Sequence, residues 1–380
     1  MRRLAVIPSD PLVAYKRKGL SSKLKDYYNP LNFFDKVFLL SPLEHEEKRE
    51  FGMDIIPTRS KQLKRRIREL KVDIVRAYGT YWPCDMACDN KVNGVPVVVS
   101  VHDRRPERLH DSIKKADIVF AVSEDSRKLV LSKFNEPDRI WMLPNRVDFN
   151  IMRPSPEDGA ADLNGQYPFK FKILSVGRRS EEKNLDNLIK ALKILGEEYC
   201  LISIGGNGDG TDEYMRLAEE QGVIERCYFI GPVENEELSR YFSWADCMCN
   251  PSRSEAMSLA LIEALACGAV VITSDIAARG VNIEHMKNGA IIKDHENPMA
   301  IADMIKAVCN GRKTRETLKS NARRSVEQFE KSRIDKLEVA YYKRILGMKL
   351  DKKFIVPFWV AAFWIVDNIT GRVLRRITRG

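Results

Sequence analysis

Histidine is scarce in this chain, with five residues in 380, and the eight cysteines, at 84, 88, 200, 227, 247, 249, 267 and 309, are scattered. Cys84 with Cys88, or Cys247 with Cys249, would make half a metal site, yet no second Cys/His pair at suitable spacing completes either one. Several of the cysteines lie inside apolar strand or helix patterns, so reduced, buried thiols are expected. Long hydrophobic runs are missing too. The uncharged run Phe354–Val366 has thirteen residues, short of the roughly twenty that span a bilayer. The start, MRRLAVIPSD, passes from two arginines into a strand-like run that ends at Pro8 without a small-residue cleavage site, so no signal peptide is read and synthesis for the cytoplasm is expected. There is no short-period repeat, low-complexity tract or convincing Asp-x-Asp metal motif.

What remains is a folded chain, 44% hydrophobic and 31% charged. Its length predicts two domains of roughly 150 to 200 residues. Short apolar runs alternate with charged helical stretches throughout. Strands are predicted at 4–8, 36–41, 72–78, 95–102, 118–123 and 140–143, then at 171–176, 200–204, 227–230, 246–250, 269–273 and 290–293. Their continuous apolarity marks parallel strands covered on both faces, hence two doubly wound α/β domains. The Pro-, Gly-, Asp- and Asn-rich stretch NIMRPSPEDGAADLNGQYPFK is a linker by composition. The boundaries read are 1–165, 166–345 and a basic, aromatic tail at 346–380, with the helix FEKSRIDKLEVAYYKRIL closing the second domain.

Doubly wound sheets bind ligands at the C-terminal ends of their strands, so polar residues there are the candidates. In VGRRSEEKNLDNLIKAL, Gly177 lets the backbone turn, and Arg178 and Lys183 precede a helix, an arrangement that suits a pyrophosphate or a merely solvated basic turn. In PSRSEAMSLALIEALACG, Ser258 can cap a helix and Gly268 can end it. Glu263 sits on that apolar helix among Leu259, Ala260, Ala266 and Cys267, none able to pair with it. Such a carboxylate needs exposure, a partner elsewhere or a ligand. His102 stands where a strand gives way to a polar loop, facing any interdomain cleft. GGNGDGTDEYMRLAEE is a poor dinucleotide motif, because its acidic residues crowd the helix start.

Together these motifs resemble a retaining glycosyltransferase of family 4 on the two-domain GT-B scaffold, over about residues 1–345. The G-R-x4-K frame matches Gly177, Arg178 and Lys183; E-x7-E matches Glu255 and Glu263, followed by ACGAVVITSD. P-N-G-V-D is met as Pro144, Asn145, Arg146, Val147 and Asp148, and ADIVFAVSEDSRKLV is similar to the segment preceding it. E-G-F-G-L reads Glu255-Ala256-Met257-Ser258-Leu259 here, and Gly19 stands for a glycine pair after the first strand. The resemblance implies that Arg178 and Lys183 neutralise the donor diphosphate, Glu263 binds the ribose and Glu255 the sugar hydroxyls. It implies backbone N–H groups of Met257, Ser258 and Leu259 at the sugar and phosphate, and His102 beside the anomeric centre. A nucleotide-diphosphate sugar is then the co-substrate, with no metal or other cofactor and no protein nucleophile. The other enzyme classes this scaffold admits are a nucleotide-sugar epimerase and a phosphorylase.

The net charge of +10 is uneven: the last thirty-five residues hold seven Lys/Arg against two Asp. A helix from Pro357 would align Ala362, Val366, Ile369, Val373 and Ile377, with tryptophans near its start and arginines near its end. That describes a helix lying in a membrane interface, or one packed across the first domain. With the basic helix RSKQLKRRIRELK at 59–71, the tail points to an anionic membrane surface as partner, contacted through 349–380, and to a lipid-linked hydroxyl acceptor at the inner face of the membrane. A membrane-surface binding protein with a degenerate site is the non-enzymatic reading. No aromatics interleave the basic runs of the body, which speaks against single-stranded nucleic acid.

Overall fold

The computed structural model describes residues 1–17, 24, 26–156, 161–206 and 211–348. Gly19 and the 349–380 tail lie outside the described residues, so their sequence-based roles have no structural counterpart here.

The first sheet contains β1 (Arg3–Ile7), β2 (Lys36–Ser41), β3 (Lys48–Glu50), β4 (Met53–Pro57), β5 (Ile74–Tyr78), β6 (Val97–Val101), β7 (Ile118–Ala121) and β8 (Ile140–Met142). Their order is β3-β4-β2-β1-β5-β6-β7-β8. The second contains β9 (Phe171–Val176), β10 (Tyr199–Ile204), β11 (Cys227–Ile230), β12 (Cys247–Asn250), β13 (Val271–Ser274) and β14 (Ala290–Ile292), in the order β11-β10-β9-β12-β13-β14. All pairings are parallel except β3 with β4. Each sheet is packed on both faces, which is why its strands are nearly continuous runs of Val, Ile and Leu. In the second sheet the order reverses between β9 and β12. The crevice that such a reversal opens lies at their C-terminal ends, beside Gly177 and Pro251.

All twelve strands expected from the sequence are present, and the fold is the two-domain α/β arrangement predicted. The β3–β4 hairpin is additional. It is short and charged, and it turns through Phe51 and Gly52, both at positive φ, where Asn-Gly is the usual signal.

One expectation is corrected. Helix Lys331–Gly347, read as closing the second domain, crosses back and packs on the first sheet. Ile334, Val339, Tyr341, Tyr342 and Ile345 share a core with Leu4, Val6, Val98 and Phe120. Tyr342 stacks on Phe33 with ring centroids 6.1 Å apart, and Tyr341 meets Trp141 at 5.0 Å. The two crossovers run side by side: Val147 N–H donates to the Phe329 carbonyl at 3.0 Å, and Lys331 N–H to the Val147 carbonyl at 2.9 Å.

Charge holds this helix where it is. Glu338, 1% exposed, accepts from Arg76 on β5 and from Arg146 in the first crossover. Arg146 also meets Asp335 at 2.8 Å and donates to the Tyr27 carbonyl. Lys331 completes the group, 2.7 Å from Asp335. Asp335, Glu338 and Tyr342 follow one another at helical spacing, so one face of the helix carries both carboxylates and a phenol that hydrogen-bonds Arg76.

Breaking a buried pair strands a charge, so Glu338→Gln should cost about 3–5 kcal/mol of stability. Urea unfolding should show the midpoint falling sharply, and a change within experimental error would disprove the role assigned to Glu338.

Candidate active site

The cationic turn forms where β9 ends. Gly177, at φ 148°, releases the backbone sideways. Gly205 stands so close to it that a Cβ there would lie 1.8 Å from the Gly177 carbonyl oxygen. The arginine doublet divides. Arg179 is buried and donates to the carbonyls of Ser203 at 2.8 Å and Ile230 at 2.6 Å, tying the turn after β9 to β10 and β11. Arg178 is 64% exposed at the mouth of a small hollow that it lines with Gly177, Lys183 and Asn250.

Lys183 forms an ion pair with Glu255, so the structure brings together these two residues of the predicted site. Neighbouring side chains stitch their loops to one another. Asn184, held in the left-handed region at φ 58°, donates to the Pro251 carbonyl at 2.9 Å. Arg253 donates to both carboxylate oxygens of Asp186, at 2.8 and 2.9 Å, and its N–H donates to the Glu182 carbonyl at 2.8 Å.

Ser258 caps helix Leu259–Ala266 by accepting from Leu261 N–H at 3.4 Å, and Asn250 Nδ2 donates to the same hydroxyl at 3.2 Å. Met257 is buried, and its carbonyl accepts from Asn145 Nδ2 at 3.2 Å, a bond between the first crossover and the second domain. Beyond this segment the cleft opens into a cavity of about 230 Å³, lined among others by His102, Asn145, Arg146, Leu259 and Glu263. The predicted residues thus fall into two groups. Gly177, Arg178, Lys183 and Glu255 make a cationic corner, His102, Leu259 and Glu263 face the cavity, and Met257 and Ser258 lie on the segment between them.

His102 leaves β6 at its C-terminal end, stacks near Tyr78 with ring centroids 6.2 Å apart, and remains exposed where it lines the cavity. Enclosure by protein, then the Arg76 guanidinium, push its pKa down to about 4, against the upward pull of a hydrogen bond with Asn145. The imidazole is therefore neutral near pH 7, able to accept at one nitrogen and donate at the other.

Arg76, Arg104 and Arg105 were missed in the sequence. Arg76 had a signal, a lone cation inside the apolar run VDIVRAY. Arg104 and Arg105 follow His102 with only Asp103 between. Arg104 Nη1 donates to the Glu255 carbonyl at 3.2 Å, and Arg105 is ion-paired with Glu182. Among the described residues no cluster of His, Cys, Asp and Glu could hold a metal ion, and all eight cysteines are buried as free thiols.

A proton-detected titration should place the His102 midpoint well below 6.5, near 4. Between those values the unfolded chain takes up a proton that the folded chain refuses, so this group's contribution to stability rises with pH across that window. His102→Asn should flatten the rise, and a His102 midpoint at or above 6.5 would contradict this description.

Comparison with known proteins bears on both halves of the chain. Residues 25–150 match the family described as Glycosyltransferase Family 4, and residues 164–325 match Glycosyl transferases group 1. The chain is 26% identical over 229 residues to a D-inositol 3-phosphate glycosyltransferase of Jonesia denitrificans, covering 57% of this chain and 54% of that protein. It therefore spans about half the length of that relative. In fold it is similar to a glycosyltransferase from Rickettsia africae, with TM-score 0.73, 17% identity and coverage of 91% and 98% of the two chains. It is also similar to the Anabaena protein HepE solved in complex with UDP, with TM-score 0.75, 18% identity and coverage of 90% and 100%. With both family matches falling on the two domains in the order that the motifs require, the chain belongs to family 4 of the glycosyltransferases, built on the GT-B fold.

Proposed function

We propose that this protein transfers a sugar, with retention of anomeric configuration, from a nucleotide-diphosphate sugar to a hydroxyl of a membrane-linked acceptor. The observation that carries this reading is the corner at the switch point of the second sheet, where Arg178 and Lys183 stand beside Glu255. Charge that develops on a leaving diphosphate is stabilised best by cations already in place. Glu255 then serves the sugar hydroxyls and Glu263, buried at the cavity, serves the ribose. Neutral His102 can accept or donate a hydrogen bond at the sugar. No metal enters this reading, because the diphosphate charge is met by Arg178 and Lys183. The similarity to HepE, which was solved with UDP, favours UDP among the nucleotides.

The membrane-linked acceptor rests on charge distribution. Helix Ser60–Glu69 buries Leu63 and Ile67 and exposes Lys61, Lys64, Arg65 and Arg68. Among the described residues no helix is long and apolar enough to cross a membrane. Contact through an exposed basic face, together with the basic tail, needs no such helix.

A thermal-shift panel of UDP, GDP, ADP and their sugars should show stabilisation by one nucleotide series. Loss of a charged hydrogen bond is worth about 1.5–3 kcal/mol, so Lys183→Ala and Glu263→Ala should each weaken that nucleotide roughly ten- to a hundredfold. Stabilisation by none of the nucleotides would remove the reading. In flotation with vesicles containing anionic lipid, the full chain should rise with the lipid more than a chain ending at Met348. Equal and negligible binding would remove the membrane component alone.

A further inference from the structure

His102 belongs to the first domain and the Arg178–Lys183 turn to the second, so some contact across the cleft must fix one against the other. A line of alternating charge connects them. Asp103, the residue after His102, accepts through Oδ1 from the N–H groups of Arg104 at 2.9 Å and Arg105 at 3.1 Å, and from Arg105 Nε at 2.9 Å. Its Oδ2 accepts from Arg105 Nη2 at 2.7 Å. Its carbonyl accepts from Ser126 Oγ at 3.2 Å, which anchors the loop to the body of the first domain. The guanidinium of Arg105 is thus held along one edge, through Nε and Nη2, by its own loop, and its remaining Nη1 bonds Glu182 of the second domain. The other oxygen of Glu182 lies 3.9 Å from Arg178.

We propose that Arg105 is a positioning residue: through Glu182 it latches the Arg178–Lys183 turn to the His102 loop. This rests on the functional reading above only in what the latch is for. A bidentate guanidinium suits the task, because its planar fork keeps its direction while bonded on two sides. The pair is partly exposed, 25% at Arg105 and 32% at Glu182. Such a contact contributes little to overall stability, yet it can decide how two otherwise stable domains sit relative to one another.

The test measures interdomain distance in the full chain without nucleotide. All eight native cysteines are buried, so spin labels can be placed selectively at Lys128→Cys in the first domain and Lys319→Cys in the second, both exposed. The parent should give one narrow distance distribution. Arg105→Gln and Glu182→Gln should each widen it about twofold, the double variant should be no wider than the wider single, and Arg105→Lys, which keeps the charge but loses the fork, should widen it as well. An Arg105→Gln distribution that superimposes on the parent, additive widening in the double variant, or an Arg105→Lys that superimposes on the parent would each overturn the proposal. Should Arg105→Gln not fold, Glu182→Gln carries the same test with the same outcomes. Failure of the nucleotide panel would remove the functional reading and leave these distances standing, so the two failures are distinguishable.

Discussion

Two carboxylates on one helix face determine much of this architecture. Asp335 and Glu338 are almost wholly removed from water, and a charge in that position is tolerated only when cations are in contact with it. Arg76 comes from the centre of the first sheet and Arg146 from the crossover. Satisfying the helix therefore also fixes where the chain leaves the first domain. That crossover carries Asn145, which bonds Met257, and Met257 precedes the Ser258 cap of the Glu263 helix. The charge cluster and the cleft are consecutive parts of one bonded path.

Arg146 sharpens the point. The resemblance calls for glycine at this place in P-N-G-V-D. In the fold it joins the cluster, reaching Asp335, Glu338 and the Tyr27 carbonyl. Its side chain also lies in the cavity lining beside Asn145 and within electrostatic reach of His102. A single replacement thus links interdomain packing to the protonation of a residue in the cleft.

The sheets were legible because buried parallel strands are written as unbroken apolar runs bounded by polar loops. Arg178 and Lys183 were legible because strand-end polar residues have few structural reasons to exist, and Glu255 through the spacing it shares with the family motif. The contacts between domains were not. Whether FEKSRIDKLEVAYYKRIL packs on its own sheet or returns to the first depends on which arginines meet Asp335 and Glu338, and those lie about two hundred residues or more away in sequence. Arg105 was hidden for the same reason, since DRRPER looks like an ordinary solvated loop until Glu182 is seen opposite it. The Phe51-Gly52 hairpin was missed for a local reason, the absence of a recognisable turn residue at Phe51.

The returning helix has a further consequence during synthesis. The first sheet is encoded by residue 142, but the aromatic side chains that cover one of its faces, Tyr341 and Tyr342, lie some two hundred residues later. Chains made on the ribosome usually complete their domains from the N-terminus onward. Here the earlier domain must wait with part of its core exposed while the later one is made. The order of completion is inverted, and a nascent chain released before residue 331 would carry a finished second domain beside an unfinished first.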